Sequence, residues 1–389
     1  MIVAGARTPI GKFRGAFSGL SAVDLGAHAI RAAVERAGIA GEQVDYAIVG
    51  HVLQAGAGQI TSLQASIGGG LPKDVPAITI NKVCLSGMSA IAMADQMIRA
   101  GEIEVAVAGG MESMTNAPYV LPKGREGARL GDVELIDSMI HDGLWSTFLD
   151  QHMGEGTDEI SAELGLRREE QDAWAARSHQ RADAAWSSGR MTDEVVAVEV
   201  AQPKGPSVTV DRDEGIRPDT TGEKLAGLRP AFRADGTITA GNASQISDGA
   251  CAVVVMSGEK AQELGVTPLA EIVAYGMSAD RYPSLHTVPA IALERALKKS
   301  DLAASDLGLI EINEAFAAVP IHSARMLGVD DDLVNVNGGA VALGHPIGAS
   351  GARIVLTLIM EMRRRGVELG GAAICGGGGQ GDALVLRTI

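Results

Sequence analysis

The chain has 389 residues, of which 46% are hydrophobic and only 3% aromatic, with 50 glycines and a formal net charge of −15. This length exceeds one ordinary core and predicts two or three domains. The negative charge argues against nucleic acid or an anionic membrane as a partner, so a phosphate-bearing ligand would need a local basic patch. Three cysteines are too few for a disulfide framework and indicate a reducing compartment.

The sequence carries no recognisable targeting signal. Its first residues lack the long apolar stretch of a secretory signal peptide, and no run approaches the roughly 18 apolar residues of a membrane span. The final Arg-Thr-Ile is not a peroxisomal address. The sequence therefore predicts a cytoplasmic α/β protein that does not associate with membranes.

The predicted elements alternate between apolar strands and helix-period segments, and they occur twice. Residues 37–44 resemble residues 300–307, and each copy lies between a helical stretch and an apolar strand. Further along, the dipeptide Ser-Gly at 86–87 and again at 350–351 opens a long helix-period segment that leads to an apolar strand ending in Gly-Gly. Alternation of this kind predicts parallel βαβ units. Two copies predict two related halves packed around a pseudo-twofold axis.

The stretch between the two copies has a different character. Residues 118–240 contain charge-dense helical pieces and a turn-rich segment around residues 203–218. Long insertions of this kind often carry the loops that contact substrate. We therefore predict an N-terminal half formed by residues 1–117 and completed by about 241–266, an inserted loop domain over 118–240, and a C-terminal half over 267–389.

Cys84 follows an apolar strand over residues 77–83 and opens a helix of small residues. A thiol at that position feels the positive end of the helix dipole and the free backbone N–H groups. An unperturbed thiol has a pKa near 8.5, so only ~3% is thiolate at pH 7, and a helix terminus with a neighbouring base makes such a cysteine a usable nucleophile. The alternative is a buried structural cysteine, and position alone does not decide between them.

His345 and Cys375 lie in glycine-rich loops. Several glycines within residues 337–351 let the backbone approach a ligand closely around His345, although a histidine taken alone is more often structural or exposed. Cys375 ends an apolar strand and enters a run of glycines. A phosphate-binding loop is a poor interpretation of this run, because it lacks the Lys-Ser/Thr ending of a P-loop.

Asn313 directly follows the apolar strand over residues 309–312. Polar residues at the carboxyl ends of strands in open α/β sheets are well placed to line a crevice. Taken alone, a helix cap is the better interpretation of this residue.

Together these pieces closely resemble the thiolase family, in the same order and over essentially the whole chain. The matching segments are Ala6-Arg7-Thr8-Pro9, Asn81-Lys82-Val83-Cys84, Ser86-Gly87, Gly109-Gly110-Met111-Glu112-Ser113-Met114, Asn313-Glu314-Ala315-Phe316, Gly344-His345-Pro346, Gly348 and Cys375-Gly376-Gly377-Gly378. The resemblance implies a five-layered αβαβα fold of two related βαβ halves with an inserted loop domain. It also implies a ping-pong acyltransferase that condenses two acetyl-CoA to acetoacetyl-CoA and CoA, or cleaves a 3-oxoacyl-CoA by thiolysis.

The resemblance assigns catalytic roles to five residues. Cys84 would be the nucleophile that takes up the acyl group, and His345 would activate it and help to polarise a thioester oxygen. Asn313 would hold a water that completes this first oxyanion hole. Backbone N–H groups of Cys84 and Gly377 would form a second oxyanion hole for the tetrahedral intermediate. Cys375 would be the acid/base that moves the α-proton of acetyl-CoA.

The resemblance also implies a coenzyme A site and no metal or redox cofactor. Arg217 matches the position that lies against the adenine, and Ala240 and Ser244 match the pantetheine tunnel. The residues that match the acyl end of the pocket are Leu144, His152, Met153, Phe232 and Phe316. Because members of the family are usually dimers or tetramers, we expect a homo-oligomer.

Four departures from the family pattern remove no catalytic group. Leu85 stands where thiolases usually place glycine, and Leu63 occupies a position often held by arginine. Gln380 replaces the methionine of a Gly-Met-Gly segment. The loop over residues 284–289, Ser-Leu-His-Thr-Val-Pro, replaces the common Met-Gly-Thr-Gly-Pro, which leaves the acyl specificity open.

Other classes of protein fit the sequence less well. A ketoacyl synthase of the same fold would typically carry a histidine or asparagine in place of Cys375 and would load from acyl carrier protein. A relative that only binds lipid or coenzyme A would not need Cys84, His345, Asn313 and Cys375 together. A cysteine hydrolase has no support from the predicted fold.

Overall fold

Strands and helices alternate along the chain as the sequence predicts. The computed structural model describes residues 1–127, 129–280 and 284–389. The strands are β1 Ile2–Arg7, β2 Gly11–Lys12, β3 Tyr46–Gly50, β4 Ala77–Ile80, β5 Val105–Ser113, β6 Tyr119–Val120, β7 Ile136–Asp137, β8 Trp145–Ser146, β9 Gln151–His152, β10 Val198–Val200, β11 Val208–Val210, β12 Ser247–Met256, β13 Ala270–Ala279, β14 Leu309–Ile312, β15 Leu369–Gly376 and β16 Gln380–Thr388. The α-helices are α1 Ala22–Ala37, α2 Thr61–Gly68, α3 Ser86–Arg99, α4 Met153–Glu163, α5 Arg168–Ser187, α6 Gly222–Ala226, α7 Gly258–Leu264, α8 Val288–Lys299, α9 Ala318–Leu327, α10 Ala340–Leu343 and α11 Ile347–Arg365. A π-helical turn spans Met139–Leu144.

The main sheet has the strand order β14-β15-β16-β13-β1-β12-β5-β3-β4, with β2 paired to one end of β12. β3 runs parallel to both β4 and β5, and β14 runs parallel to β15. The other neighbours in this order are antiparallel. The two halves of the sheet meet between β1 and β13, where Ile2 is paired with Ala270. Each half therefore combines parallel with antiparallel strands, as expected of two related copies.

The two halves of the sheet lie on opposite sides of a central pair of helices. α3 and α11 contact each other, α3 contacts β5 and β16, and α11 contacts β5, β12, β14 and β15. On the outer faces, α1 and α2 cover one half, and α8 and α9 cover the other. The layers are helix, sheet, helix, sheet and helix, which confirms the predicted five-layered αβαβα fold.

The repeated Ser-Gly dipeptide lies where the two central helices cross. A Cβ atom on Gly87 would lie 2.8 Å from the Ala352 backbone nitrogen, and one on Gly351 would lie 2.5 Å from the Met88 backbone nitrogen. Glycine is required at both positions, because a side chain would force the two backbones apart. α3 begins at its dipeptide, as predicted, whereas α11 begins a few residues before its own.

Local sequence signals set both ends of α1. α1 follows Ser21, whose hydroxyl accepts a hydrogen bond from the Asp24 N–H while the Asp24 carboxylate accepts one from the Ser21 N–H. Gly38 follows the last residue of this helix, and its φ of 67° is a left-handed conformation that glycine adopts without steric cost. Within the described ranges, no helix is long and apolar enough to cross a bilayer.

The described part of residues 118–240 contributes no strand to the main sheet. β6 with β7, β8 with β9, and β10 with β11 form separate two-stranded sheets; α4 and α5 lie between β9 and β10 along the chain, and α6 follows β11. This arrangement fits an insertion between two copies of one unit. The domain boundaries near residues 117, 240 and 266 remain predictions from the sequence.

Candidate active site

A tight turn between β4 and α3 holds Cys84. The strand ends at Ile80, earlier than predicted, and the helix begins at Ser86. Val83 has a φ of 51°, a left-handed conformation that is costly for a β-branched residue. The Val83 N–H donates to Asn81 Oδ1 at 3.0 Å, and the Val83 carbonyl accepts from Ser86 Oγ at 2.7 Å. These bonds hold the strained turn and fix Cys84 at the N-terminal end of the helix.

The Cys84 thiol is buried and protonated at rest, with an exposed fraction of 4%. Burial raises the pKa of Cys84 to about 12, and the backbone N–H groups of Cys84 and Gly377, which lie against the sulfur, oppose this only in part. Desolvation therefore outweighs the helix terminus that the sequence suggested as the activating feature. The two N–H groups are those predicted for the second oxyanion hole, and Cys84 needs a base to release its proton.

His345 is a neutral imidazole with a defined tautomer. Its Nδ1 lies 2.6 Å from Ser350 Oγ, and that hydroxyl donates its hydrogen to the Pro346 carbonyl at 2.9 Å. Ser350 Oγ must therefore accept from Nδ1–H, which leaves the lone pair on Nε2. Burial, with a smaller effect of Arg353, lowers the pKa of His345 to about 3. The imidazole is uncharged at neutral pH and can accept a proton on Nε2.

Asn313 lies beyond the carboxyl end of β14, next to His345. Its Nδ2 lies 3.5 Å from His345 Nε2, and its backbone N–H donates to the Ala373 carbonyl at 3.0 Å. Its Oδ1 is buried and has no hydrogen-bond partner among the described residues. A buried acceptor without a partner is costly, so this amide is placed to bind a polar ligand atom or a water beside Nε2. The next helix begins at Ala318, so Asn313 does not cap it.

Cys375 comes from the other half of the sheet, near the end of β15, and is also buried. Burial, and after it the nearby Cys84 thiol, raises the pKa of Cys375 well above that of an ordinary thiol. A thiol of this kind makes a strong base once it has lost its proton, as removal of a proton from carbon requires. The fold thus places two thiols from different halves of the sheet beside each other.

The glycine run after Cys375 packs against the turn that holds Cys84. A Cβ atom on Gly377 would lie 3.2 Å from Val83 Cγ2, and one on Gly376 would lie 2.7 Å from Leu85 Cγ. Leu85, at a position where thiolases usually have glycine, is fully buried. The structure accommodates it because Gly376 has no side chain.

Gly376→Ala is expected to lower turnover by about 10- to 100-fold, because the new methyl group would displace Leu85 and the adjoining Cys84. Adding Leu85→Ala to the same chain should recover part of this loss. Steady-state kinetics of the single and double variants measure the coupling. Gly19→Ala is a matched control, since a Cβ atom there meets nothing within 4 Å. Equal turnover of Gly376→Ala and Gly19→Ala would contradict the packing argument.

A buried carboxylate, Glu112, holds the backbone just after His345, and no role was predicted for it from the sequence. Glu112 accepts hydrogen bonds from the N–H groups of Val52 and Leu53, both at 3.1 Å, and from the Gly348 N–H at 2.9 Å. Gly348 lies in the first turn of α11, just after His345. Burial raises the pKa of Glu112 to about 7 despite these donors. The motif Gly-Gly-Met-Glu-Ser-Met is the sequence signal for this residue, but its contacts appear only in the fold.

Glu314 links the insertion to the site and has no role predicted from the sequence either. Its carboxylate accepts hydrogen bonds from four donors: Trp174 Nε1 at 2.9 Å, Ser178 Oγ at 2.7 Å, Asn335 Nδ2 at 2.9 Å and the Val341 N–H at 3.0 Å. The first two belong to α5, within the insertion. Because Glu314 directly follows the asparagine of the site, these bonds hold that asparagine in place.

A cavity of about 540 Å³ opens beside the turn that holds Cys84. Val83 and Gly377, which contact each other next to Cys84, both lie in its wall. Of the residues predicted for the acyl end of the pocket, His152 and Met153 line it. Its volume is that of an ordinary small-molecule site.

Three more predicted residues are linked to His152 by a chain of contacts. The Phe232 ring stacks on His152 with centroids 4.7 Å apart and meets Phe316 edge-on at 6.1 Å. Ser244 donates its backbone N–H to the Ala315 carbonyl at 3.1 Å, beside Phe316. The structure therefore brings these predicted residues into one connected cluster.

The other predicted ligand residues lie outside this cluster. Leu144 ends the π-helical turn and packs against the central core, and Ala240 is exposed. Arg217 is also exposed, and its Nη2 donates to Gln245 Oε1 at 3.3 Å. The Gln245 carbonyl in turn accepts the His345 N–H at 3.1 Å. Arg217 is thus connected to the site through one residue.

The remaining departures from the family pattern differ in their surroundings. Leu285 and Gln380 line the cavity. His286 is buried away from it, with Nε2 2.9 Å from Ser161 Oγ on α4, and burial lowers the pKa of His286 to about 3. Nothing in the structure explains Leu63, which is half-buried on α2.

Two buried thiols and an imidazole on a five-layered αβαβα fold define the class of condensing enzymes that use a nucleophilic cysteine. Sequence profiles for the thiolase N-terminal domain and the thiolase C-terminal domain match residues 1–259 and 266–388. The chain belongs to the thiolase family.

Known relatives match the chain over its full length. A protein of Mycolicibacterium smegmatis named "Probable acetyl-CoA acetyltransferase" is 56% identical, with 100% of both chains covered. An acetyl-CoA acetyltransferase of Pseudomonas aeruginosa is 51% identical, over 99% of this chain and 98% of its own. The crystal structure of the Bacillus anthracis acetyl-CoA acetyltransferase superposes with a TM-score of 0.97 at 42% identity, covering 100% of this chain and 98% of that one.

Proposed function

We propose that this protein is an acetyl-CoA C-acetyltransferase, which condenses two acetyl-CoA to acetoacetyl-CoA and CoA and catalyses the reverse thiolysis. The observation that carries the proposal is that two buried thiols, Cys84 and Cys375, lie near each other while the neutral imidazole of His345 stands just before Gly348, whose backbone packs against Gly87 at the start of α3. The names of the relatives, which are about half identical over the whole chain, support acetyl-CoA as the substrate.

In the first half-reaction, His345 Nε2 takes the Cys84 proton as the sulfur attacks the thioester carbon of acetyl-CoA. The N–H groups of Cys84 and Gly377 stabilise the oxyanion of the tetrahedral intermediate. The bond to the sulfur of coenzyme A then breaks, and Cys375 protonates the departing thiolate. This leaves acetyl-Cys84, an imidazolium and the Cys375 thiolate.

In the second half-reaction, the Cys375 thiolate removes an α-proton from a second acetyl-CoA. The imidazolium of His345 and a water held by Asn313 stabilise the oxygen of the enolate. Its carbon attacks acetyl-Cys84, the new carbon–carbon bond forms, and the bond to Cys84 sulfur breaks. The imidazolium returns its proton to Cys84, which restores the starting state.

Incubation with acyl-CoAs of graded length, followed by mass spectrometry of the protein, tests this function. We expect acetyl-CoA to leave an acetyl group on Cys84 and a second acetyl-CoA to convert it to acetoacetyl-CoA. Longer 3-oxoacyl-CoA thiolysis is a second candidate, favoured by the apolar side chains of Phe148, Leu149 and Leu285 in the cavity wall. Release of free acid in place of acetoacetyl-CoA would refute the proposal and indicate a hydrolase.

Arg217→Ala should weaken coenzyme A substrates while leaving short pantetheine thioesters nearly unaffected, because Arg217 is expected to touch only the nucleotide end. In a protein of net charge −15, an exposed cation also helps to recruit a polyanion. The ratio of kcat/KM for the two substrate types measures the effect. Arg31→Ala on the outer helix α1 makes the same change of charge and should alter neither. Equal losses for both substrates would mean that Arg217 supports the fold instead.

We further propose a reducing, cytoplasmic setting and a homo-oligomer, a dimer or tetramer, in fatty acid metabolism. The three cysteines are free thiols, which supports the reducing setting. No metal or redox cofactor is assigned, because the thiols, the imidazole and the backbone N–H groups provide nucleophile, base and oxyanion stabilisation. Size-exclusion chromatography with light scattering measures the oligomeric state.

A further inference from the structure

Asp382 is a buried charge beside the position that pairs with Cys375. In the ladder between β15 and β16, Gly381 is opposite Cys375 and Asp382 is opposite Ile374. The side chain of Asp382 is fully buried, so its carboxylate needs polar partners within the protein. The reaction proposed above gives it no role.

The Asp382 carboxylate binds one residue that precedes Cys84 in the chain and one that follows it. Its Oδ1 accepts a hydrogen bond from Lys82 Nζ at 2.7 Å, and its Oδ2 accepts one from Ser89 Oγ at 2.5 Å. Lys82 lies two residues before Cys84, and Ser89 lies in the first turn of α3 after it. The phenol of Tyr275 faces the same carboxylate, and burial together with that charge raises the pKa of Tyr275.

We propose that Lys82, Ser89 and Asp382 are positioning residues that hold the two thiols at their working separation. Cys84 and Cys375 come from different halves of the sheet, so the backbone hydrogen bonds within one half do not set the distance between them. Apart from the Gly377 N–H against the Cys84 sulfur, the other contacts described at this boundary are apolar, between the glycine run and Val83 and Leu85, and apolar contacts have no preferred direction. A charge-assisted hydrogen bond does have one.

The ion pair has the right location for this role. It joins Asp382 to Lys82. Asp382 is next to the strand partner of Cys375, and Lys82 is next to Val83 in the strained turn that presents the nucleophile. A misplacement of about 1 Å in an active site can cost about 100-fold in rate. The inference rests on the proposed function, because the separation matters for proton transfer and condensation.

A direct contact of Lys82 with substrate is the competing explanation. The lysine side chain is 26% exposed and lies in the cavity wall. If Lys82 bound substrate, its loss would raise KM and a change at Asp382 would have little effect. If the pair positions the thiols, changes at either residue should have the same effect, and the double variant should be no worse than the single ones.

The test compares Lys82→Met, Asp382→Asn, their double variant and the conservative Lys82→Arg. Mass spectrometry gives the fraction of chains acetylated on Cys84, and deuterium exchange at the α-carbon of acetyl-CoA gives proton transfer per acetylated chain. We expect the two single variants and the double variant to acetylate fully but to exchange about 10- to 100-fold more slowly per acetylated chain. Lys82→Arg should stay within about threefold of native. Lys260→Met should match native, because this lysine on α7 pairs, among the described residues, only with Glu263 of the same helix and with Glu104 just before β5.

A second readout does not depend on turnover. Diamide, a small diazene, takes two electrons and two protons from a pair of adjacent thiols and leaves a disulfide. We expect the Cys84–Cys375 disulfide to form about tenfold more slowly in Lys82→Met and Asp382→Asn than in native protein. Native rates of disulfide formation and of exchange per acetylated chain in both variants would overturn the inference. If Lys82→Met does not fold, Asp382→Asn, which keeps the size of the side chain, decides the matter by the same readouts.

Different results would refute the proposed function and the positioning role of the Lys82–Asp382 pair. Native protein that neither acetylates nor exchanges would refute the proposed function, whereas the disulfide rates would still decide whether the ion pair positions the thiols. A raised KM in Lys82→Met with a normal Asp382→Asn variant would overturn the positioning role and assign Lys82 to substrate binding.

Discussion

Cys84→Ala is expected to abolish turnover, with a loss of about 10⁴-fold or more, as for a nucleophile that acts in a unit with its base. The reason is that the thiol is the group that lies against two backbone N–H groups, so an alanine leaves nothing to take up the acyl group. Assays of acetoacetyl-CoA synthesis and thiolysis measure the loss. Because the native thiol has a pKa of about 12, its reaction should need His345, and low concentrations of iodoacetamide near pH 7 should label Cys84 alone.

Cys251 provides the matched control for this experiment. It is a buried cysteine in β12, and burial raises its pKa to about 12 as well. Cys251→Ala removes a thiol of the same burial from outside the site and should leave turnover near native. Detection of the acetyl group mainly on Cys251 or Cys375 of fresh protein would contradict the assignment of the nucleophile.

Cys375→Ser should separate the two half-reactions. The variant is expected to take up an acetyl group on Cys84, because the nucleophile, His345 and the Gly377 N–H are unchanged and the CoA thiolate can leave without an acid. It should fail to form acetoacetyl-CoA or to exchange the α-protons of acetyl-CoA. A serine hydroxyl has a pKa far above that of a thiol and is a poor acid/base near neutral pH.

The measurements are acetylation by mass spectrometry and α-deuterium exchange by NMR, with Cys251→Ser as the control that should behave as native. His345→Ala should depress both half-reactions and so differ from Cys375→Ser. Condensation at a near-native rate by Cys375→Ser would exclude the mechanism and favour a synthase that does not use a second cysteine.

Much of the fold could be predicted from the sequence because its determinants are local. Alternating apolar strands and helix-period segments predicted the βαβ units, and the repeated Ser-Gly dipeptide predicted two long helices. That these helices cross at the dipeptide, where there is no room for a side chain, appears only in the structure. The conformation of the turn before Cys84 could not be predicted this way. Valine favours strands because its side chain is β-branched, yet Val83 adopts a φ of 51° because the side chains of Asn81 and Ser86 hold it there.

The supporting contacts of the site depend on residues far apart in the sequence. The motifs contain Glu112 and Glu314, but their partners lie on other loops and on α5, and no spacing in the sequence connects them. The pKa of Cys84 also follows from burial, which the position of a helix terminus does not reveal. The Lys82–Asp382 pair joins residues 300 positions apart, so it could be found only from the folded chain.

The duplication of the sheet bears on stoichiometry. At a lag of 264 positions, the counterpart of Cys84 is Gly348 and the counterpart of Cys375 is Met111. A Cβ atom on Gly348 would lie 2.6 Å from the Met111 carbonyl oxygen, and one on Gly110 would lie 1.9 Å from the Gly348 carbonyl oxygen. Backbone fills the place where a second centre would be, and neither counterpart carries a thiol. Each chain, though built from two copies, should therefore bind a single acetyl group.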